Sequence, residues 1–210
     1  MSMRLPLFAD DTVAAPPGLE YHEEFLTASE ELDLLGCADA SGWLSDISRR
    51  VQHFGFKYDY SDRWLDETAR IGSLPGWLAE LACKAYGSVS EDVQRLLDPK
   101  QPFEQAIINE YLPGQGIAPH VDRDCFGPVV ATVSLGAAIN MDFRCDATGE
   151  EHGERLARRS LLVLRGEART DWRHSIAKRK SDLWNGQQFK RERRVSITFR
   201  TIADLNSGSV

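Results

Sequence analysis

An imidazole and a carboxylate two residues apart, His120 and Asp122, are followed by a second imidazole at His174. In an extended chain, side chains at i and i+2 share a face, so His120 and Asp122 can bind one ion together. Two histidines and one carboxylate on one face of an octahedron leave the opposite face for co-substrate and oxygen, the ligand arrangement of non-haem Fe(II) oxygenases. On spacing alone the set stays open to a plainer reading. The chain has five His, and a histidine beside a tryptophan, as in Trp172-Arg173-His174, also fits a hydrogen-bonded core residue.

A second group lies near the C-terminus. Arg194-Val195-Ser196-Ile197-Thr198-Phe199-Arg200 alternates strictly, placing Val195, Ile197 and Phe199 on one face and the four polar side chains on the other. If the polar face lines a barrel, the two arginine Cα atoms lie roughly 20 Å apart at about 3.3 Å per residue. Inward-reaching guanidinium groups then leave a gap of about 6 to 8 Å, which suits a short dicarboxylate gripped at both ends. Asn109 and Tyr111, also at i and i+2, can hydrogen-bond the same ligand from a neighbouring strand. An edge strand with solvated arginines is the alternative.

These residues need a scaffold, and 210 residues are enough for one domain with a sizeable core. With 42% hydrophobic and 27% charged residues the composition is that of an ordinary globular protein. No run of 18 apolar residues predicts a membrane span, and no secretory signal is expected in the first 17 residues; a cytoplasmic location is expected. Cys37, Cys83, Cys125 and Cys145 are too scattered for a disulfide framework or a zinc site and read as small buried hydrophobes. The net charge of -7 is uneven, since residues 155–200 hold 14 Lys and Arg against 4 Asp and Glu. That segment is compatible with a polyanion meeting one face, or with solvated strand rims.

Thr27-Ala28-Ser29-Glu30 has the form of a capping box, predicting a helix that ends near Gly36 or shortly after. The spacing of Trp77, Leu78, Leu81, Ala82 and Ala85 predicts a second helix over Pro75–Tyr86, and a short third spans Glu91–Leu97. After Pro102 the pattern predicts strands at Gln105–Tyr111, Val129–Leu135, Ala138–Phe143, Ser160–Leu164 and Arg193–Thr201. Helices first and strands later indicate an α+β domain whose strands form a sandwich or barrel.

The ordered motifs, Asn109-Glu110-Tyr111-x-Pro-Gly-Gln-Gly-Ile-x-Pro-His120-Val121-Asp122-Arg123-Asp124, then Leu161 to Arg169 leading to His174, then Arg194 to Arg200, resemble the AlkB family of Fe(II)- and 2-oxoglutarate-dependent dioxygenases. The resemblance runs from about Gly18 to Thr201. It implies a double-stranded β-helix, or jelly roll, with buttressing N-terminal helices and a nucleotide-recognition lid. It divides the chain into an N-terminal arm at 1–17 and one domain at 18–210, with the lid at about 45–76 and the jelly-roll core at about 103–201.

The resemblance further implies that His120, Asp122 and His174 bind Fe(II), that Arg200 pairs with the oxo-acid end of 2-oxoglutarate, and that Arg194 pairs with the far carboxylate. Tyr111 would assist Arg194, and Asn109 would lie near the oxo-acid end. Ser196 stands where the family's best-known bacterial member has Asn. Asp124 matches an aspartate near the damaged base in repair members. The lid would include Arg49, Arg50, Phe56 and Tyr58, the arginines for phosphates and the aromatics for an extruded base. With O2 as oxidant, the expected activity is oxidative demethylation of N-alkylated bases in DNA or RNA, releasing formaldehyde, succinate and CO2. The expected partner is alkylated single-stranded nucleic acid, and the expected state is a monomer. Leu74-Pro75-Gly76 and the lid string resemble the branch that hydroxylates a modified wobble uridine in transfer RNA. A protein or small-molecule substrate is the third alternative.

Overall fold

The computed structural model describes residues 14–45, 49–57 and 67–203. Before the core come β1 (Leu19–His22), α1 (Ala28–Ala40), β2 (Val51–Phe54), α2 (Gly76–Ser88) and α3 (Glu91–Gln94). The strand-rich half follows as β3 (Gln105–Tyr111), β4 (Ile117–His120), β5 (Phe126–Leu135), β6 (Ile139–Cys145), β7 (Glu151–Leu156) and β8 (Ser160–Leu164). It ends with α4 (Glu167–Thr170), β9 (Trp172–Ile176), β10 (Ser181–Trp184), β11 (Gln187–Lys190) and β12 (Arg194–Ile202). A six-stranded sheet in the order β1-β8-β5-β12-β3-β2 faces a four-stranded sheet in the order β4-β9-β6-β7, and β10-β11 stand apart as a hairpin. All the pairings are antiparallel, giving the expected jelly roll.

Two apolar layers sandwich the large sheet. On its outer face Val195, Ile197 and Phe199 pack with Leu34, Leu78, Leu81 and Val93 from the helices. On its inner face Leu162 and Leu164 meet Met141, Phe143 and Ile176 of the small sheet. Alternation along β8 therefore sends every second residue to each layer, while β12 gives its apolar residues to the outer one, as period 2 requires.

The capping box of α1 is present: Thr27 N donates to Glu30 Oε2 at 2.7 Å, and Glu30 N to the Thr27 hydroxyl. The helix runs past Gly36 to Ala40, because Ala38 is buried in the core and Gln52 Nε2 donates to the Ala38 and Ser41 carbonyls beyond it. These bonds satisfy acceptors that a helix end leaves open. Pro75 precedes α2 with no side-chain cap, and the third helix stops at Gln94, short of Leu97.

Several strands lay outside the sequence expectation. Of these, β1 adds an edge to β8 and β2 adds the opposite edge to β3, so part of the expected lid is sheet. The anchorage of the chain also begins earlier than Gly18: Leu19 N donates to the Pro16 carbonyl and Ala168 N to the Pro17 carbonyl. Cys125 and Cys145 are buried as expected, but Cys83 is exposed and Cys37 partly so. Among the described residues no helix is long and apolar enough to cross a membrane.

Candidate active site

The short strand β4 carries His120 to its position. Gly116, just before it, approaches β9 so closely that an added Cβ would sit 2.2 Å from the Ile176 carbonyl oxygen. Any larger residue would push β4 away. With that approach allowed, Ile117 pairs with Ile176 and His120 with His174. The two imidazole rings lie 4.3 Å apart between centroids. Phe143 pairs with His174 on the far side, its ring 6.2 Å away, and packs one ligand candidate in place.

Asp122 follows in the turn between β4 and β5 and is buried. Its Oδ1 accepts from Arg200 Nη2 at 2.6 Å and Nε at 3.0 Å. Its Oδ2 is buried without a donor and stands 3.8 Å from His174 Nε2. Burial alone would raise the carboxyl pKa, but Arg200, then the two histidines, outweigh it and hold Asp122 well below the usual carboxylate range. Burial likewise pushes His174 down to about 4, so the ring is neutral at physiological pH with a lone pair to give. His120 Nδ1 lies 2.9 Å from the Ala118 carbonyl. A carbonyl can only accept, so Nδ1 donates to it and Nε2 is the ring nitrogen left to face an ion.

Among the described residues, no three His, Cys, Asp or Glu side chains are gathered closely enough to close around an ion as they stand. The donor set nonetheless suits a divalent metal: two imidazole nitrogens and a carboxylate whose second oxygen is buried and unpaired. An orphaned buried oxygen of this kind costs free energy unless a cation or donor answers it.

Inside the sheets, Arg194, Ser196, Thr198 and Arg200 line one small chamber with Asn109, Tyr111, Asp122 and His174. The polar face of β12 therefore points inward, and the reading of an exposed edge strand is excluded: β12 is central, flanked by β3 and β5. Arg194 is 1% exposed. Its Nη2 donates to Ser134 Oγ at 2.8 Å, while its Nε has no partner. No carboxylate pairs with it among the described residues, and burial pushes its pKa down to about 10. A cation buried this deeply without a counter-ion is costly unless an anionic ligand joins it. Ser134 escaped sequence reasoning, although its inward position in β5 follows from alternation once the sheet is known. Register sets Tyr111 opposite Arg194 and Asn109 opposite Ser196, so four expected co-substrate residues meet.

The chamber adjoins an outer cleft of about 810 Å³, and Asn109, His120, Asp122 and Arg200 line both. Arg49, Arg123 and Arg173 also line the cleft. Here the lid expectations change. Arg49 is buried, donates from Nε to Asn109 Oδ1 at 2.8 Å and lies 5.5 Å over the Tyr111 ring, so it touches the co-substrate strand while also lining the cleft. Arg50 gives its guanidinium to the buried Glu110 and stacks on Trp43. Phe56 is 2% exposed beneath Arg70 and cannot present a face to a base. Tyr58 lies outside the described residues. Asp124 is exposed and is not among the cleft-lining residues.

The basic segment does not form one cationic face. Arg158 pairs with Glu31, Arg165 with Glu20 and Asp92, and Arg173 with Asp146. Arg179 and Arg191 pair with Asp182, and Arg193 with Asp39 and Glu110. The acidic body neutralises much of the local excess.

Comparison with known proteins places the chain in a family. The model of the 2OG-Fe(II) oxygenase superfamily matches residues 22–200. The chain is 31% identical over 224 residues to the "Alkylated DNA repair protein ALKBH8 homolog" of Arabidopsis thaliana, covering 94% of this chain and 62% of that protein. It is 35% identical over 211 residues to the "tRNA (carboxymethyluridine(34)-5-O)-methyltransferase alkbh8" of Xenopus tropicalis, covering 89% of this chain but 32% of that one. The solved structure of OsALKBH1 superposes with a TM-score of 0.67 at 16% identity, covering 90% of this chain and all of its own, and so shares the fold. The chain thus belongs to the 2OG-Fe(II) oxygenase superfamily, a family of oxidoreductases that uses Fe(II), 2-oxoglutarate and O2, and it is similar to proteins named as ALKBH8.

Proposed function

We propose that this protein hydroxylates a modified base of an RNA, with uridine 34 of a transfer RNA as the first substrate to test. The observation carrying the oxygenase part is the buried, carboxylate-free Arg194 in a chamber shared with His120, Asp122 and His174. His120, Asp122 and His174 would hold Fe(II). With 2-oxoglutarate and O2, the metal held there would supply an oxidant for a carbon-hydrogen bond, with succinate and CO2 as co-products. Arg194 would bind the far carboxylate, Tyr111 and Ser196 would flank it, and Asn109 would lie toward the oxo-acid end. Arg200 would grip the oxo-acid end while holding Asp122 ionised.

The substrate class rests on the relatives. The Xenopus relative's name refers to uridine 34 of transfer RNA. This chain spans only about a third of that protein, so the methyl transfer named there is not carried over. Oxidative demethylation of alkylated bases was carried in the sequence by Asp124, which is exposed and outside the cleft lining. A single-stranded anticodon loop presents unstacked bases without the cost of opening a duplex.

The test is mass spectrometry of nucleosides after incubating the Fe(II)-loaded protein and 2-oxoglutarate with bulk transfer RNA, and separately with methylated DNA and RNA oligonucleotides. Gain of one oxygen on a transfer-RNA uridine is the expected result. Formaldehyde release from methylated oligonucleotides, with transfer RNA unchanged, would establish the demethylase. Succinate formation with no change in any nucleic acid would point to a protein or small molecule.

A further inference from the structure

We propose that Arg169 is a positioning residue for the metal centre: it clamps the backbone that carries Asp122 to the segment that carries His174. The inference rests on the reading that His120, Asp122 and His174 hold the metal. His120 and His174 are fixed to each other by strand pairing, but β4 ends at His120 and β5 begins at Phe126. The intervening residues, Asp122 among them, have no strand ladder to set their position. Arg200 holds the Asp122 side chain, but the loop backbone that carries it needs a restraint of its own to keep the carboxylate within the few tenths of an ångström that coordination tolerates.

Arg169 reaches across to supply the missing restraint. It is 5% exposed, in α4, five positions before His174. Its Nη1 donates to the Asp122 carbonyl at 2.7 Å, and its Nη2 to the Arg123 carbonyl at 2.7 Å and the Phe126 carbonyl at 3.4 Å. Phe126 N closes the same turn on the Arg123 carbonyl. One planar guanidinium therefore touches both ends of the loop, which the single ammonium of a lysine cannot do in the same geometry. Burial pulls the Arg169 pKa down from its ordinary value, a cost that its carbonyl partners offset only in part. Because Arg169 and His174 belong to one short, continuous segment, the clamp links the two sides of the site mechanically. Residues that orient ligands in this way typically change metal affinity by about ten- to a hundred-fold when removed.

The test uses the full chain as wild type, Arg169→Met, Arg169→Lys and Asp122→Ala, titrated with Mn(II) by calorimetry and melted with and without Mn(II). Arg169→Met should bind Mn(II) at least about ten-fold more weakly, with Arg169→Lys between it and wild type, and the Mn(II)-induced rise in Tm should shrink accordingly. A purely structural arginine would lower both melting temperatures together and leave the Mn(II) affinity of the folded protein unchanged; Mn(II) affinity within two-fold of wild type therefore overturns the proposal. If Arg169→Met does not fold, Arg169→Lys alone decides by the same criterion. Wild type failing to bind Mn(II), or Asp122→Ala binding it as well as wild type, would overturn the metal reading itself and this inference with it.

Discussion

Arg200 and Asp122 form a buried pair in which both the Nε and Nη2 of the guanidinium donate to the same carboxylate oxygen, Oδ1, leaving Oδ2 undonated and facing His174. The pair joins the two halves of the site, since Arg200 lies on β12 and Asp122 in the turn after β4. Replacing Arg200 by Met leaves an ionised carboxylate buried without its main counter-charge, at a cost of about 3 kcal/mol or more. The metal-free variant should therefore melt well below wild type, and Mn(II) should recover part of the loss by answering the same charge. Unchanged melting of the metal-free variant would contradict this.

Arg194 is enclosed by Ser134, Tyr111 and the inner sheet, with Nε awaiting an acceptor. Replacement by Lys keeps the charge but loses the two-pronged donor. The affinity for 2-oxoglutarate should fall roughly ten-fold or more, about 1.4 kcal/mol. Arg193→Lys should leave that affinity close to wild type, because Arg193 points to Glu110 and Asp39 on the other side of β12. Titration of the metal-loaded protein with 2-oxoglutarate decides, and equal affinities for wild type and Arg194→Lys would remove Arg194 from the site.

Asp182 anchors the β10-β11 hairpin through Arg191, Arg179 and the Asn140 amide. Burial would raise its carboxyl pKa, but the hydrogen bonds from Arg191 and Arg179 prevail and hold it below its ordinary value of 3.8. A folded-state pKa below the unfolded one gives stability that is present above the unfolded value and lost as pH falls through the folded one. Asp182→Asn should cost about 3 kcal/mol at neutral pH, since Arg191 is left buried and unpaired. It should also flatten the decline of stability below the ordinary carboxyl value, which urea melts at stepped pH will show. An acid decline as steep as wild type would exclude Asp182 as its source.

Ion pairing within the basic segment predicts a shallow salt dependence for RNA binding. Arg123 is exposed and lines the cleft mouth, so Arg123→Gln should reduce the log-log salt slope by about 0.7, the value of one single-strand phosphate contact. Arg50→Gln should instead reduce stability by removing a partner of the buried Glu110. Binding measured across a salt series reads the first, and thermal melting the second. A wild-type slope in Arg123→Gln would take that residue out of the interface.

Local patterns in the sequence were sufficient for several elements. Strict alternation gave β12 its inward polar face, the strands Gln105–Tyr111 and Ser160–Leu164 have the predicted bounds, and the capping box starts α1 where Thr27 and Glu30 place it. Such features depend on neighbours two to four residues away, which the chain states directly. The short strands β4 and β9 were not legible, because β4 forms through the close approach of Gly116 to the Ile176 carbonyl and both gain stability from pairing across the sheet. Charge partners were equally hidden. Arg193 meets Asp39 across 154 positions and Arg158 meets Glu31 across 127, so the basic segment looked free until the fold closed. The same holds for Arg49, whose bond to Asn109 spans 60 positions, and for Arg169, whose carbonyl partners lie 43 to 47 residues away. Residue type and spacing determine what chemistry is available, while tertiary packing decides which charges remain unpaired and therefore able to take it up.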